Sequence, residues 1–160
     1  MRDLAAFRQQ SDDRPMHVAK RIVRAYGFKA LPIPVEDILT DLGVRVERRP
    51  APGWDGALDS RGTPPIVWIS ASERETRQRF AMAHELGHLL MHPPDLYRDA
   101  TFAPGDDRRE RDANDFALEL LIPLWMLEMI VTSRRMTTSQ ASAMFNVSPG
   151  AMGCQLEKLL

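Results

Sequence analysis

A chain of 160 residues, 44% of them hydrophobic, is long enough for one domain that buries its own core. Its single cysteine, Cys154, excludes an intramolecular disulfide and suits a reducing compartment. With 21 basic against 22 acidic residues the net charge is -1, so global charge gives no support to nucleic-acid binding, and no apolar run approaches the roughly 20 residues of a bilayer span.

Residues 1–14 are charged, lack a signal-peptide core and read as a flexible N-terminus, so the expectation is a cytoplasmic protein with no membrane partner. From Pro15 to Tyr26 the residues Met16, Val18, Ile22, Val23 and Tyr26 recur at helical spacing, and Gly27 is placed to end that helix. Leu31-Pro32-Ile33-Pro34 is extended. Val35, Ile38, Leu39 and Leu42 mark a second short helix that stops at Gly43. Val44–Glu47 alternates like a strand, and Trp54–Asp59 lies between turn signals at Pro52-Gly53 and Arg61-Gly62. Ile66-Val67-Trp68-Ile69 is the clearest strand, read either as an edge for pairing with an extended peptide or as an ordinary core strand. Ser72 and Glu75 fit a capping box for a long helix reaching about Met91, where Pro93-Pro94 forbid continuation. After a loop, Asp107 and Glu110 repeat the capping pattern at the head of a helix that runs to about Leu121, before Pro123. Two or three short helices complete the chain. The expected fold is α+β: a small, mostly antiparallel sheet, a long helix, a second long helix and a helical C-terminal region. Its parts are residues 1–14, a domain at 15–132 and the region 133–160.

The chemistry is concentrated in His84-Glu85-Leu86-Gly87-His88. On a helix the two histidines stand about 6 Å apart along the axis and about 40° apart around it, so both imidazoles reach one ion. Glu85 lies beside them, where its carboxylate can accept a proton from metal-activated water; this is the content of H-E-x-x-H. Zinc lowers the pKa of bound water to about 7, and the glutamate would pass the proton to the departing amine. A catalytic zinc takes three protein ligands and keeps one open position. Glu110, 22 residues beyond His88, is the candidate third ligand, and a plain capping role for it stands as the alternative. Asn114 shares the face of Glu110 at i+4 and can orient a ligand from behind. Asp112 lies about 200° from Glu110 around the same helix and cannot face the same ion.

His92 continues the series, but lies about 12 Å from His84 along the axis, too far for one ion. It is a helix-end histidine, an outer support or a substrate contact. Tyr97, in the loop, is a candidate oxyanion contact.

The segment Arg79–His92 resembles the active-site helix of the ImmA/IrrE metallopeptidases. Glu110-x-x-Ala113-Asn114-x-Phe116-Ala117-x-Glu119-Leu120-Leu121-Ile122-Pro123 resembles that family's second helix, and weaker likeness runs from about Pro34 to the C-terminus. The resemblance implies a zincin-like fold for residues 15–132 and peptide-bond hydrolysis. It implies one Zn2+ per chain held by His84, His88 and Glu110, with Glu85 as general base. The implied partner is a helix-turn-helix repressor cleaved as substrate. Many relatives carry Glu where this chain has Asp112. Thr137–Met152 itself resembles a helix-turn-helix, turning at Asn146-Val147-Ser148. Its second helix carries only Lys158 as a basic residue, so no direct nucleic-acid contact is expected, and packing on the domain or substrate recognition is the reading. The rival to the enzyme is a non-catalytic, metal-containing regulatory or DNA-binding module.

Overall fold

The computed structural model describes residues 1–92 and 107–160; Tyr97 and the loop around it lie outside the described residues, as does the side chain of Asp107, so the cap expected there does too. Helix α1, Pro15–Tyr26, starts with proline at its first position, where a missing N–H costs nothing. It ends at Gly27 with φ 61°, the left-handed conformation that glycine adopts without strain. Its buried face is Val18, Ala19, Ile22 and Val23. Helix α2, Val35–Asp41, carries Glu36 and Asp37 in its first turn, where acidic groups complement the helix dipole.

Three strands follow: β1 Arg45–Arg49, β2 Gly56–Asp59 and β3 Ile66–Ser70. They pair in the order β1-β3-β2, with β1 parallel and β2 antiparallel to β3. The fold is α+β as expected, but the sheet is mixed rather than mostly antiparallel. Of the two readings of β3, edge or core strand, the core one holds: it is the central strand. Composition explains this. Val67 and Ile69 are fully buried on the core face of the sheet, whereas β1, Arg-Val-Glu-Arg-Arg, is charged in the manner of an edge. Among the described residues, β2 is the other edge of the sheet.

Helix α3, Glu75–Met91, begins at Arg74 with no side-chain cap. The expected capping box is absent because the Ser72 hydroxyl accepts the Ala51 N–H at 3.2 Å instead. Ten residues of α3 are buried, which makes it the central helix. Helix α4 spans Asp107–Leu121, and Pro123 separates it from α5, Leu124–Ser133. Helices α6, Thr138–Phe145, and α7, Pro149–Glu157, close the chain. Between them Asn146 turns the backbone at φ 51°. The core gathers Ile22, Ile38, Ile69, Leu86, Phe116 and Leu120, from five helices and strands, into one cluster.

The two chain ends are tied to this body. The first 14 residues carry contacts that their polarity does not announce: Leu4–Phe7 forms a 3-10 turn, Phe7 is buried and the Gln9 N–H donates to Leu90 O at 3.0 Å. At the other end the buried Gln155 donates from Nε2 to Ile122 O at 2.8 Å. Arg79 of α3 donates to Asn146 O at 3.1 Å and to Ile33 O at 2.8 Å. No single helix among the described residues is long and apolar enough to cross a membrane.

Candidate metal centre

Gly87 sets how near α3 and α4 can come. A Cβ on it would stand 2.9 Å from the ring of Phe116, which is itself fully buried. Glycine in mid-helix costs roughly 1 kcal/mol relative to alanine, and close approach of the partner helix is what it gives in return. At that spacing Glu110 and Asn114 of α4 reach the two histidines of α3.

The reaching atoms converge. His84 Nε2 and His88 Nε2 are 3.0 Å apart, and the two carboxylate oxygens of Glu110 lie 3.1 Å from one nitrogen each. Four ligands about 2.0–2.1 Å from a tetrahedral zinc stand roughly 3.3 Å from one another, so the three side chains present the edges of such a site. Among the described residues this is the group of His, Cys, Asp or Glu whose ligand atoms all lie within 4.8 Å. Asp112 is not part of it. Two imidazoles and a carboxylate suit zinc among the common divalent ions.

Each imidazole is held from behind. His84 Nδ1 lies 2.9 Å from Asn114 Oδ1, an arrangement in which the ring N–H donates to the amide oxygen. His88 Nδ1 lies 2.7 Å from His92 Nδ1. Both contacts leave Nε2 facing the site, as outer supports of metal-ligating histidines do. His92 is thus placed behind His88, buried and away from the cleft.

The cleft in front has a volume of about 660 Å³ and is walled by β2 and the turn before it, by α3 and by α4. Gly56 again marks a close approach, since a Cβ there would meet Trp68 O at 2.8 Å and Ala81 Cβ at 3.6 Å. Asp55 and Arg77 join the two walls by a bidentate ion pair at 2.8 and 2.7 Å. Glu85 lines the same cleft. Burial first, and the Glu110 carboxylate second, push its pKa up to about 7. Burial first, then the neighbouring His84, His92 and Arg109, push His88 down to about 3. An imidazole held neutral in this way surrenders no proton on binding a cation. A dication would oppose the rise at Glu85, because it favours a carboxylate beside it.

The model of peptidase family M78, described as the IrrE N-terminal-like domain, matches residues 39–157. The chain belongs to this family. Within it, the His84, His88 and Glu110 group is the possible metal site. A Bacillus phage phi105 protein, "Uncharacterized immunity region protein 2", is 35% identical over 65 residues, which are 38% of this chain and 40% of that relative. The structure of a Mycobacterium tuberculosis transcriptional regulator superposes with a TM-score of 0.67 at 15% identity, over 95% of this chain and 49% of that one. That likeness shows a shared fold, and this chain spans less than half the length of either relative.

Sequence reasoning missed the front wall of the cleft. Trp54, Asp55, Ala57, Leu58, Arg77 and Phe80 carry no motif, and pairing across the sheet brings Ala57 and Leu58, with the turn before them, to the histidines. One signal was available: a glycine opening a short strand, Gly56, marks a place where another backbone comes near.

Proposed function

We propose that the protein is a zinc-dependent endopeptidase that cuts a peptide bond in a regulatory protein of the helix-turn-helix repressor class. The observation that carries this reading is the convergence of His84, His88 and Glu110 within 4.8 Å, with Glu85 in the same cleft. A dication there would polarise the scissile carbonyl and acidify the attacking water. Glu85 takes the proton of that water and hands it to the amine nitrogen as the C–N bond breaks. Among the described residues no hydrogen bond or ion pair occupies its carboxylate, which leaves it available for that task. Asn114 and His92 fix the two imidazoles. Among the described residues β2 pairs with β3 alone, and its other edge is suited to hold an extended substrate backbone alongside the site.

The repressor as substrate is supported by the immunity-region title of the phage relative and by family resemblance. A DNA-binding role draws little support from α6 and α7. The turn at Asn146 is engaged by Arg79 and Glu75 of α3, and Lys158, the basic residue of that segment, lies 3.4 Å from Asp115. The test is incubation of the protein with helix-turn-helix repressors encoded near its gene, with and without a chelator. Cleavage that the chelator stops and zinc restores is the expected result. A promoter gel shift without any cleavage would instead establish the regulatory module.

A further inference from the structure

A second cavity, of about 750 Å³, opens beside the metal cleft. Its size is that of a ligand site rather than of a packing defect, because protein interiors hold few voids larger than a water molecule. Its lining is apolar in the middle, with Phe80, Leu118, Val147, Pro149, Ala151 and Cys154, and charged at the rim, with Glu73 and Arg77. Arg77, Phe80 and Asn114 wall both cavities, so the two adjoin. Asn114 is the residue that touches His84, and the Phe80 ring centre lies 6.3 Å from that of His84. An extended peptide advances roughly 3.3 Å per residue, so a side chain seated against Phe80 belongs to a residue about two along from one at His84.

We infer that this cavity selects the substrate, by accepting a large apolar side chain of the peptide about two residues from the scissile bond. The inference rests on the peptidase reading above. It also gives the helix-turn-helix-like segment a use. The first turns of α7 form the far wall, and three contacts fix that wall to the metal-bearing body. Asn146 Nδ2 donates to Glu75 Oε1 at 3.0 Å, Arg79 donates to Asn146 O, and Gln155 donates to Ile122 O. Ser148 caps α7 by accepting the Ala151 N–H at 3.1 Å. A wall braced in this way exists before substrate arrives, so binding does not have to order it. The segment that in a DNA-binding protein would present its second helix to a groove of DNA here presents that helix to a groove of its own chain.

The chain's only cysteine stands on this wall and is exposed, which supplies the test. Peptides randomised on both sides of the cut are cleaved by the wild type, by Cys154→Trp and by wild type alkylated at Cys154 with a bulky maleimide. Met129→Ala, on exposed α5, is the control. The wild type and the control are expected to prefer Leu, Met or Phe over Gly about tenfold or more at one position near the cut. Filling the cavity should collapse that ratio towards one, through KM for the apolar peptides, while zinc content stays the same. A preference that survives both modifications, or no apolar preference in the wild type, overturns the inference. If the wild type cuts no peptide at all, the peptidase reading fails. The cavity is then judged by binding: in unlabelled Glu85→Gln protein, Leu- and Phe-containing peptides should shift the backbone amide NMR resonances of α7 and their Gly counterparts should not. Absence of any shift overturns the cavity's role whatever the catalytic result.

Discussion

The metal site has two unlike halves. The ligand half is built from α3 and α4: His84 and His88 stand one turn apart on α3, and the close crossing at Gly87 brings Glu110 of α4 to them. The substrate half is built from β2 and the turn before it, four strand residues held by one neighbouring strand and by the Asp55–Arg77 ion pair. Ligands must hold their positions to tenths of an ångström, and helices packed in a core provide that. A wall that admits a peptide has to leave one edge unpaired, and an outer strand provides that. The division predicts that the halves can be damaged separately.

Removing a ligand is the severest break. His88→Ala should leave the purified protein without stoichiometric zinc and without detectable cleavage, as metal analysis and a peptide assay would show. Spreading the helices is milder. Gly87→Ala forces a Cβ towards the Phe116 ring, and overpacking of this kind costs about 1–3 kcal/mol. Urea unfolding should show that loss, and zinc titration should show weaker binding, because Glu110 and Asn114 move away with α4. Zinc binding unchanged in Gly87→Ala would mean that the crossing does not set the site.

Damage to the strand half should look different. Gly56→Ala pushes against Trp68 O, a backbone atom that cannot swing aside, so β2 must shift. Zinc content should stay at the wild-type level while KM for a peptide rises several-fold. The smallest effect belongs to Asp55→Asn. Its partner pair is well exposed, at 46% and 61%, and pairs of that kind contribute at most about 1 kcal/mol. A zinc deficit in either variant would erase the distinction between the halves.

The same division governs what could be read from the sequence. The spacing of His84, Glu85 and His88 is a statement about one helix, and Glu110 with Asn114 about another, so periodicity and motif reached both. The third dimension was less accessible. Nothing local to Ile66–Ile69 says whether it lies at the edge or the centre; pairing with β1 on one side and β2 on the other, known only in the fold, decides for the centre. Ser72 and Glu75 have capping-box spacing, yet the Ser72 hydroxyl is occupied by Ala51, 21 residues away. His92 looked like a helix end, and only the packed structure brings its Nδ1 to within 2.7 Å of His88. The second cavity needed α3, α4 and α7 together, and no sequence window contains all three.

The central claim is that His84, His88 and Glu110 hold one ion while Glu85 works beside it without holding it. Zinc content and turnover, measured together on Glu85→Gln, test this most directly. The account predicts about one zinc per chain retained and kcat lowered by about 10²–10⁴-fold, the span attributed to a general base. Turnover at the wild-type level, or loss of the zinc with the carboxylate, would contradict it.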